Sequence, residues 1–292
     1  MRKRDEFDAA AACLSRRAVL QGLAALSATP FLSIPGLALA ADGPRYGGTF
    51  LVGSGSEPRH LNLNITTDAA TKLISNPVFS KLIGLKTDFT PAPDLAKSWA
   101  VSEDGLLYTF TLEEGVKWHD GKPFSAEDVK FTFEKVLFEF HNIGKALGQY
   151  VETIETPDPA TVIFKLKSPN DVFLTFIASQ SYIQPKHLYD GTDVMTNPAN
   201  TAPVGTGPFR FSEWSRGREV VLVRNEDYFR KDRPYVDRIV SRFIPEASSR
   251  VRALEAGEVD YLAYFGLPPS MVATLRENPN ITVVGEGHNA WG

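Results

Sequence analysis

Leu107-Tyr108-Thr109-Phe110-Thr111-Leu112-Glu113-Glu114-Gly115-Val116-Lys117-Trp118-His119-Asp120-Gly121-Lys122-Pro123-Phe124-Ser125-Ala126-Glu127-Asp128-Val129 is the stretch on which the fold turns. Its first six residues alternate apolar and polar at period two, the mark of a strand with one buried face. Glu114-Gly115 then turns the chain into Val116-Lys117-Trp118, and the pair reads as a hairpin. Ser125 with Asp128 three residues on is a variant capping box and starts a helix. Val129, Phe133, Val136, Leu137 and Phe140 give that helix an apolar stripe. A strand period that gives way to a helical one this quickly points to α/β or α+β architecture.

Working outward, the same two periods recur. Thr49-Phe50-Leu51-Val52 reads as a buried strand ending in the Gly53-Ser54-Gly55-Ser56 turn. Ala69 to Leu82 has helical spacing at Leu73, Ile74, Val78 and Leu82, with Pro77 at its start or at a kink. Towards the C-terminus, Val162 to Leu166 is a strand, and Pro208 to Trp214 pairs with Glu219 to Arg224 around Ser215-Arg216-Gly217-Arg218. Ile239 to Ile244 leads into a helix capped near Ser248, with Val251, Leu254 and Ala256 inside. A strand over Asp260 to Tyr264, a short helix from Pro269 and a strand over Ile281 to Val284 complete the pattern.

The first forty residues read as an export signal. Arg16-Arg17 precede an uncharged run from Ala18 to Ala41 that contains Ala38-Leu39-Ala40, a pattern that signal peptidase accepts. An uncleaved anchor is the alternative, against which Pro30 and Pro35 count. With cleavage near Ala40, the remaining chain has no cysteine, so packing must stabilise it without disulfides. The whole chain carries a net charge of −4; beyond Ala40 it carries 26 basic against 32 acidic residues. A mildly acidic chain without a basic run is a poor match for nucleic acid or anionic lipid.

No catalytic constellation is present in the sequence. There is no G-x-S-x-G elbow, and Gly205-Thr206-Gly207-Pro208 lacks the third glycine of a dinucleotide loop. Gly115 to Gly121-Lys122 has one residue too many for a phosphate loop, and Pro123 stands where the magnesium-binding hydroxyl would be. His60, His119, His141, His187 and His288 are scattered without metal-ligand spacing. His119, beside Asp120 at a hairpin turn, reads as a satisfied surface or turn histidine. No cofactor, no metal site and no enzyme are expected.

Several ordered blocks are similar to the extracellular solute-binding proteins of family 5, the peptide- and nickel-binding proteins of ABC importers. They are Asp94 to Ala100 with Asp104 to Leu112, Gly115 to Val129, Val204 to Phe209, Val223 to Phe229, and Ala253 to Asp260. The resemblance implies a type II periplasmic-binding-protein fold of two lobes, of which only the first, with its extra subdomain, is expected here. On that basis residues 1–40 are the signal peptide, 41–85 and 203–292 the first lobe, 86–202 the family-specific subdomain, and the second lobe lies beyond residue 292. The blocks themselves read as structural: the glycines at 115 and 121 shape turns, and those at 205 and 207 allow a tight entry to the next strand.

The resemblance also implies a periplasmic monomer that captures a short peptide and hands it to an inner-membrane ABC permease, after passage through the export machinery. A nickel chelate, an opine, glutathione or an oligosaccharide are alternative ligands, and a periplasmic enzyme or chaperone is the alternative class. By position in the family's pattern, three segments approach ligand. The first is Thr67-Asp68-Ala69, where Asp68 either pairs a ligand cation or caps the following helix. Next comes Tyr264-Phe265-Gly266, whose aromatics either stack on ligand or fill core. The third contains Glu286, His288 and Trp291 and would form a ligand wall.

Overall fold

The computed structural model describes residues 12–15, 44–86, 88–262 and 267–284. Strand β1 (Ala12–Ser15) belongs to the expected leader, and β2 (Thr49–Ser54) is the first strand beyond it. Helix α1 (Ala69–Ser75) follows. It is half as long as the apolar spacing suggests, because the carbonyls of Pro77 and Val78 accept from the Phe209 and Gly207 N–H groups instead of continuing the helix. Val78 and Leu82 are still fully buried, but in a turn and a bend beyond the helix. A small ladder of β3 (Ile83–Leu85) and β4 (Pro91–Pro93) then leads into the second sheet.

That sheet has four antiparallel strands in the order β5-β6-β8-β7: β5 (Ala96–Val101), β6 (Leu107–Leu112), β7 (Val151–Asp158) and β8 (Thr161–Leu166). The expected hairpin partner of β6 is corrected here. Its two neighbours are β5 and β8, and Val116–Trp118 instead folds back on Lys122–Phe124. With β5 on one side and β8 on the other, β6 has no free edge for the following segment to pair with.

Between β6 and β7 lie α2 (Ala126–Phe131), a six-residue π-helical segment (Thr132–Leu137), α3 (Phe138–Phe140) and α4 (Asn142–Gly148). The Asp128 carboxylate accepts from Ser125 N–H at 2.9 Å, the reciprocal half of the expected capping box. Its other oxygen accepts from Lys186 N–H at 2.9 Å and ties α2 to a later segment. Val129, Phe133, Val136 and Leu137 are buried as expected, while Phe140 is half-buried. Helices α5 (Phe173–Gln180) and α6 (Lys186–Tyr189) close this part. Its core is aromatic: the Phe164 ring centroid lies 4.8 Å from Phe133, 5.6 Å from Phe173 and 5.7 Å from Phe110, all edge-on.

The chain then returns to the first sheet with β9 (Phe209–Ser215), β10 (Glu219–Arg224), β11 (Arg238–Phe243), α7 (Ala247–Glu255), β12 (Tyr261–Leu262), α8 (Val272–Glu277) and β13 (Ile281–Val284). The cap of α7 is Glu246, two residues before the expected Ser248. The sheet order is β13-β1-β12-β2-β11-β10-β9, and β2 runs parallel to both β11 and β12. β12 and β13 are both antiparallel to β1 and therefore run in one direction.

A buried polar seam joins the two sheets. Asn62 donates to Asn200 at 2.8 Å and accepts from Gln184 at 2.5 Å, Tyr189 donates to Asn200 at 3.0 Å, and Asn64 donates to the Tyr182 carbonyl at 2.7 Å. Buried amides that find such partners fix one relative placement of their segments.

Candidate functional site

Four parallel strands, β2, β11, β12 and β13, end at one edge of the seven-stranded sheet, with Ser54 level with Phe243 and Gly53 level with Leu262. In open α/β sheets ligands collect outside the carboxyl ends of the strands, where connections diverge. Here the connections diverge from β2 itself: its neighbours on both sides come from much later in the chain.

Three segments meet at this edge. The loop after β2 carries Glu57 and His60. The β9–β10 turn, residues 215–218, arrives from the side, since Phe243 N–H donates to the Arg218 carbonyl at 2.9 Å. The segment after β11 leads into α7, and the buried Arg250 guanidinium donates to the Ile244 and Pro245 carbonyls at 2.7 Å each. Arg250 also lies directly under the loop after β2: a side-chain carbon on Gly55 would stand 3.0 Å from its guanidinium.

Glu57 fastens the β2 loop to the turn. One carboxylate oxygen accepts from the Trp214 indole N–H at 2.9 Å, the other from Gly217 N–H at 3.1 Å. Arg216 lies over the Trp214 ring with its guanidinium carbon 3.4 Å from the centroid, and its nitrogen is 3.8 Å from Glu57. Sequence reading missed all three residues. They join positions 157 to 160 residues apart, and no local pattern carries such a contact.

Of the expected ligand segments, Thr67–Ala69 is joined to the loop after β2. The Thr71 hydroxyl donates to the His60 carbonyl at 2.9 Å and to Asp68 at 2.9 Å. Asp68 caps α1 by accepting from Thr71 N–H at 2.8 Å. Both bonds fall on Oδ2, so the capping role leaves Oδ1 as the oxygen that could meet a ligand cation. Thr67 and Asp68 are exposed and Ala69 is half-buried. Burial holds His60 below the usual histidine range, and Asp68 pulls partly the other way. Tyr264, Phe265 and Gly266 follow β12, and Glu286, His288 and Trp291 follow β13; these six lie outside the described residues.

The glycine loop 205–207 serves the scaffold. A side-chain carbon on Gly205 would fall 1.9 Å from the Val78 carbonyl oxygen, so only glycine allows this approach. His119 clasps the loop: its Nδ1 accepts from Gly205 N–H at 3.1 Å and its Nε2 lies 3.0 Å from the Gly207 carbonyl. A ring that accepts on one nitrogen and donates on the other is neutral, and burial lowers its pKa to about 4. Among the described residues no group of His, Cys, Asp and Glu could hold a metal ion, and no helix is long and apolar enough to cross a membrane. A groove of about 300 Å³ lined by Phe131, Lys135, Phe140, Tyr189 and Val194 lies in the part around the four-stranded sheet and shares no residue with the strand-end edge.

Comparison with known proteins supplies the frame. Residues 90–291 match the family model for bacterial extracellular solute-binding proteins, family 5 Middle. The oligopeptide-binding protein AppA of Bacillus subtilis (strain 168) is 33% identical over 251 residues, 84% of this chain and 45% of the relative. Its structure in complex with a nonapeptide superposes with a TM-score of 0.73 over 80% of this chain and 46% of that one. AgaA from A. tumefaciens R10, solved with agropinic acid, gives a TM-score of 0.73 at 31% identity over the same shares. NikZ from Campylobacter jejuni, solved with Ni(L-His), gives 0.68 at 28% identity, covering 80% of this chain and 46% of that one. The chain thus spans about half the length of the relatives it matches.

Proposed function

The chain belongs to the bacterial extracellular solute-binding proteins of family 5, and from that premise we propose that it forms one wall of a peptide-binding cleft in the substrate-binding component of an ABC importer. The observation that carries this reading is the shared edge where β2, β11 and β12 end, which does not depend on β1. A wall of loops at strand ends, fastened by Glu57 and Arg250, suits capture of a solute against a second lobe. Thr67, Asp68, Ala69, Tyr264, Phe265, Gly266, Glu286, His288 and Trp291 are the proposed contacts from this side. Release to an inner-membrane permease completes the cycle, in a periplasmic protein whose leader is removed near Ala40. A binding module of this kind performs no chemistry on its ligand, in keeping with relatives that are named for binding and not for turnover.

The test uses the complete protein read from its full frame. Tri- to nonapeptides are screened for thermal stabilisation. A ligand at a hundred times its Kd adds about 2.7 kcal/mol to stability, which raises Tm by several degrees. A flat response to every peptide, with a rise for agropinic acid or a nickel–histidine complex, would replace the peptide by that ligand. The opine reading has its own support, since AgaA superposes as well as AppA does.

A further inference from the structure

The strand-end edge has an uneven distribution of charge. Two of its acids, Glu57 and Glu219, lie beneath the cations they pair with, while Glu213 and Glu246 are exposed nearby. Glu57 is 30% exposed against 56% for Arg216, and Glu219 is 15% exposed against 75% for Arg218 and 43% for Arg242. Glu57 accepts from two neutral donors, the Trp214 and Gly217 N–H groups, and holds Arg216 only at 3.8 Å. Glu219 accepts from Arg218 at 3.0 Å and lies 3.5 Å from Arg242. These two carboxylates therefore act as struts, and the guanidiniums of Arg216, Arg218 and Arg242 are the more exposed members of each pair.

Arg216 is the most prepared of these cations. Its plane is supported by the indole face at 3.4 Å, an arrangement that orients a guanidinium while its edge N–H donors stay free to form bonds. The turn that carries it is open. Gly217 adopts φ +71°, and a side-chain carbon built there meets nothing within 4 Å, so a ligand can approach without displacing protein. A planar fork of donors held in this way fits a carboxylate in two-point contact.

We propose that Arg216, laid on Trp214 and braced by Glu57, is a specificity residue of the cleft rim that receives a carboxylate of the bound ligand. The inference rests on the reading that ligand occupies this edge. The carboxylate can come from a peptide's C-terminus or from an acidic side chain, and both sources present the same chemistry to the guanidinium.

The experiment uses the complete protein. The tightest binder from a pool of tri- to pentapeptides is resynthesised as its free acid, as its C-terminal amide, and with each Asp or Glu replaced by Asn or Gln. Affinities for wild type, Arg216→Gln and Arg216→Lys are measured by calorimetry at low and high salt. The proposal expects Arg216→Gln to weaken the free acid at least tenfold, with Arg216→Lys in between. One amidated or neutralised peptide should already bind wild type weakly and lose nothing further in Arg216→Gln. That peptide identifies the source of the carboxylate. Equal affinities in wild type and Arg216→Gln overturn the proposal, as does an equal loss for acid and amide forms alike. If wild type binds no member of the pool, the peptide reading and this inference fall together, an outcome that the wild-type arm alone identifies. Thermal melts without peptide check that Arg216→Gln is folded; Glu57 keeps its bonds to Trp214 and Gly217 in that variant.

Discussion

Acidification should loosen the clasp that His119 places on the glycine loop, and the amount can be worked from the structure. The neutral ring accepts from Gly205 N–H and meets the Gly207 carbonyl, and its pKa is lowered from 6.5 to about 4, mainly by burial. The unfolded chain takes up this proton near pH 6.5, the folded one only near pH 4. Between these values the unfolded state binds more protons, so stability is fully present above pH 6.5 and falls as pH drops towards 4. Full expression of the difference amounts to about 3 kcal/mol, of which about 2.5 kcal/mol is lost by pH 4.5. Burial also lowers His60 and His141, so the wild-type pH dependence alone does not isolate His119. The difference between wild type and His119→Gln does. Urea unfolding followed by tryptophan fluorescence at pH 7.5 should show the variant about 1–3 kcal/mol less stable, because a buried loop group loses its partner. At pH 4.5 the gap should shrink by about 2.5 kcal/mol and close or reverse. Parallel stability profiles for the two proteins would refute the neutral clasp.

Three further outcomes follow from packing and capping. Gly205→Ala puts a side-chain carbon 1.9 Å from the Val78 backbone oxygen, which cannot swing aside, and should cost about 3 kcal/mol or more, seen as a fall in Tm. Phe164→Ala empties a fully buried site among Phe110, Phe133 and Phe173 and should cost about 3–5 kcal/mol by chemical denaturation. Asp68→Ala removes the α1 cap and should cost about 1 kcal/mol, whereas Asp68→Asn should stay near wild type; an effect of Asp68→Asn on ligand affinity alone would mark a contact separate from the cap.

The sequence was most legible where one period ran undisturbed. The alternation in β6 and β8 buries Phe110, Leu112, Val162 and Phe164 as read, and the β9–β10 hairpin turns at the expected residues. It misled where tertiary bonds replaced local ones. Val78 and Leu82 sit at helical spacing from Ile74, but the Gly205–Phe209 loop captures the carbonyls that a longer α1 would need. Strand β7 gave almost no signal, since only Ile154 of its eight residues is buried and its pairing with β8 slips twice. Helix α5 has a nearly continuous apolar run, Phe173-Leu174-Thr175-Phe176-Ile177-Ala178, that shows no stripe to read. At the strand-end edge, Asp68 was legible because a cap is a local device. Glu57, Trp214 and Arg216 were not, because their arrangement exists only once β2 and the β9–β10 turn lie side by side.

The pairing of β2 also orders events on the ribosome. Gly48 N–H bonds to Asp237, 189 positions later, and both neighbours of β2 emerge after that point or close to it. The four-stranded sheet between Ala96 and Leu166 can close early, from contacts near in sequence. Strand β2 leaves the ribosome among the first segments and waits with both edges bare through most of synthesis. A bare strand edge invites wrong partners, and until residues 238–243 have emerged β2 has neither β11 nor β12 to cover it.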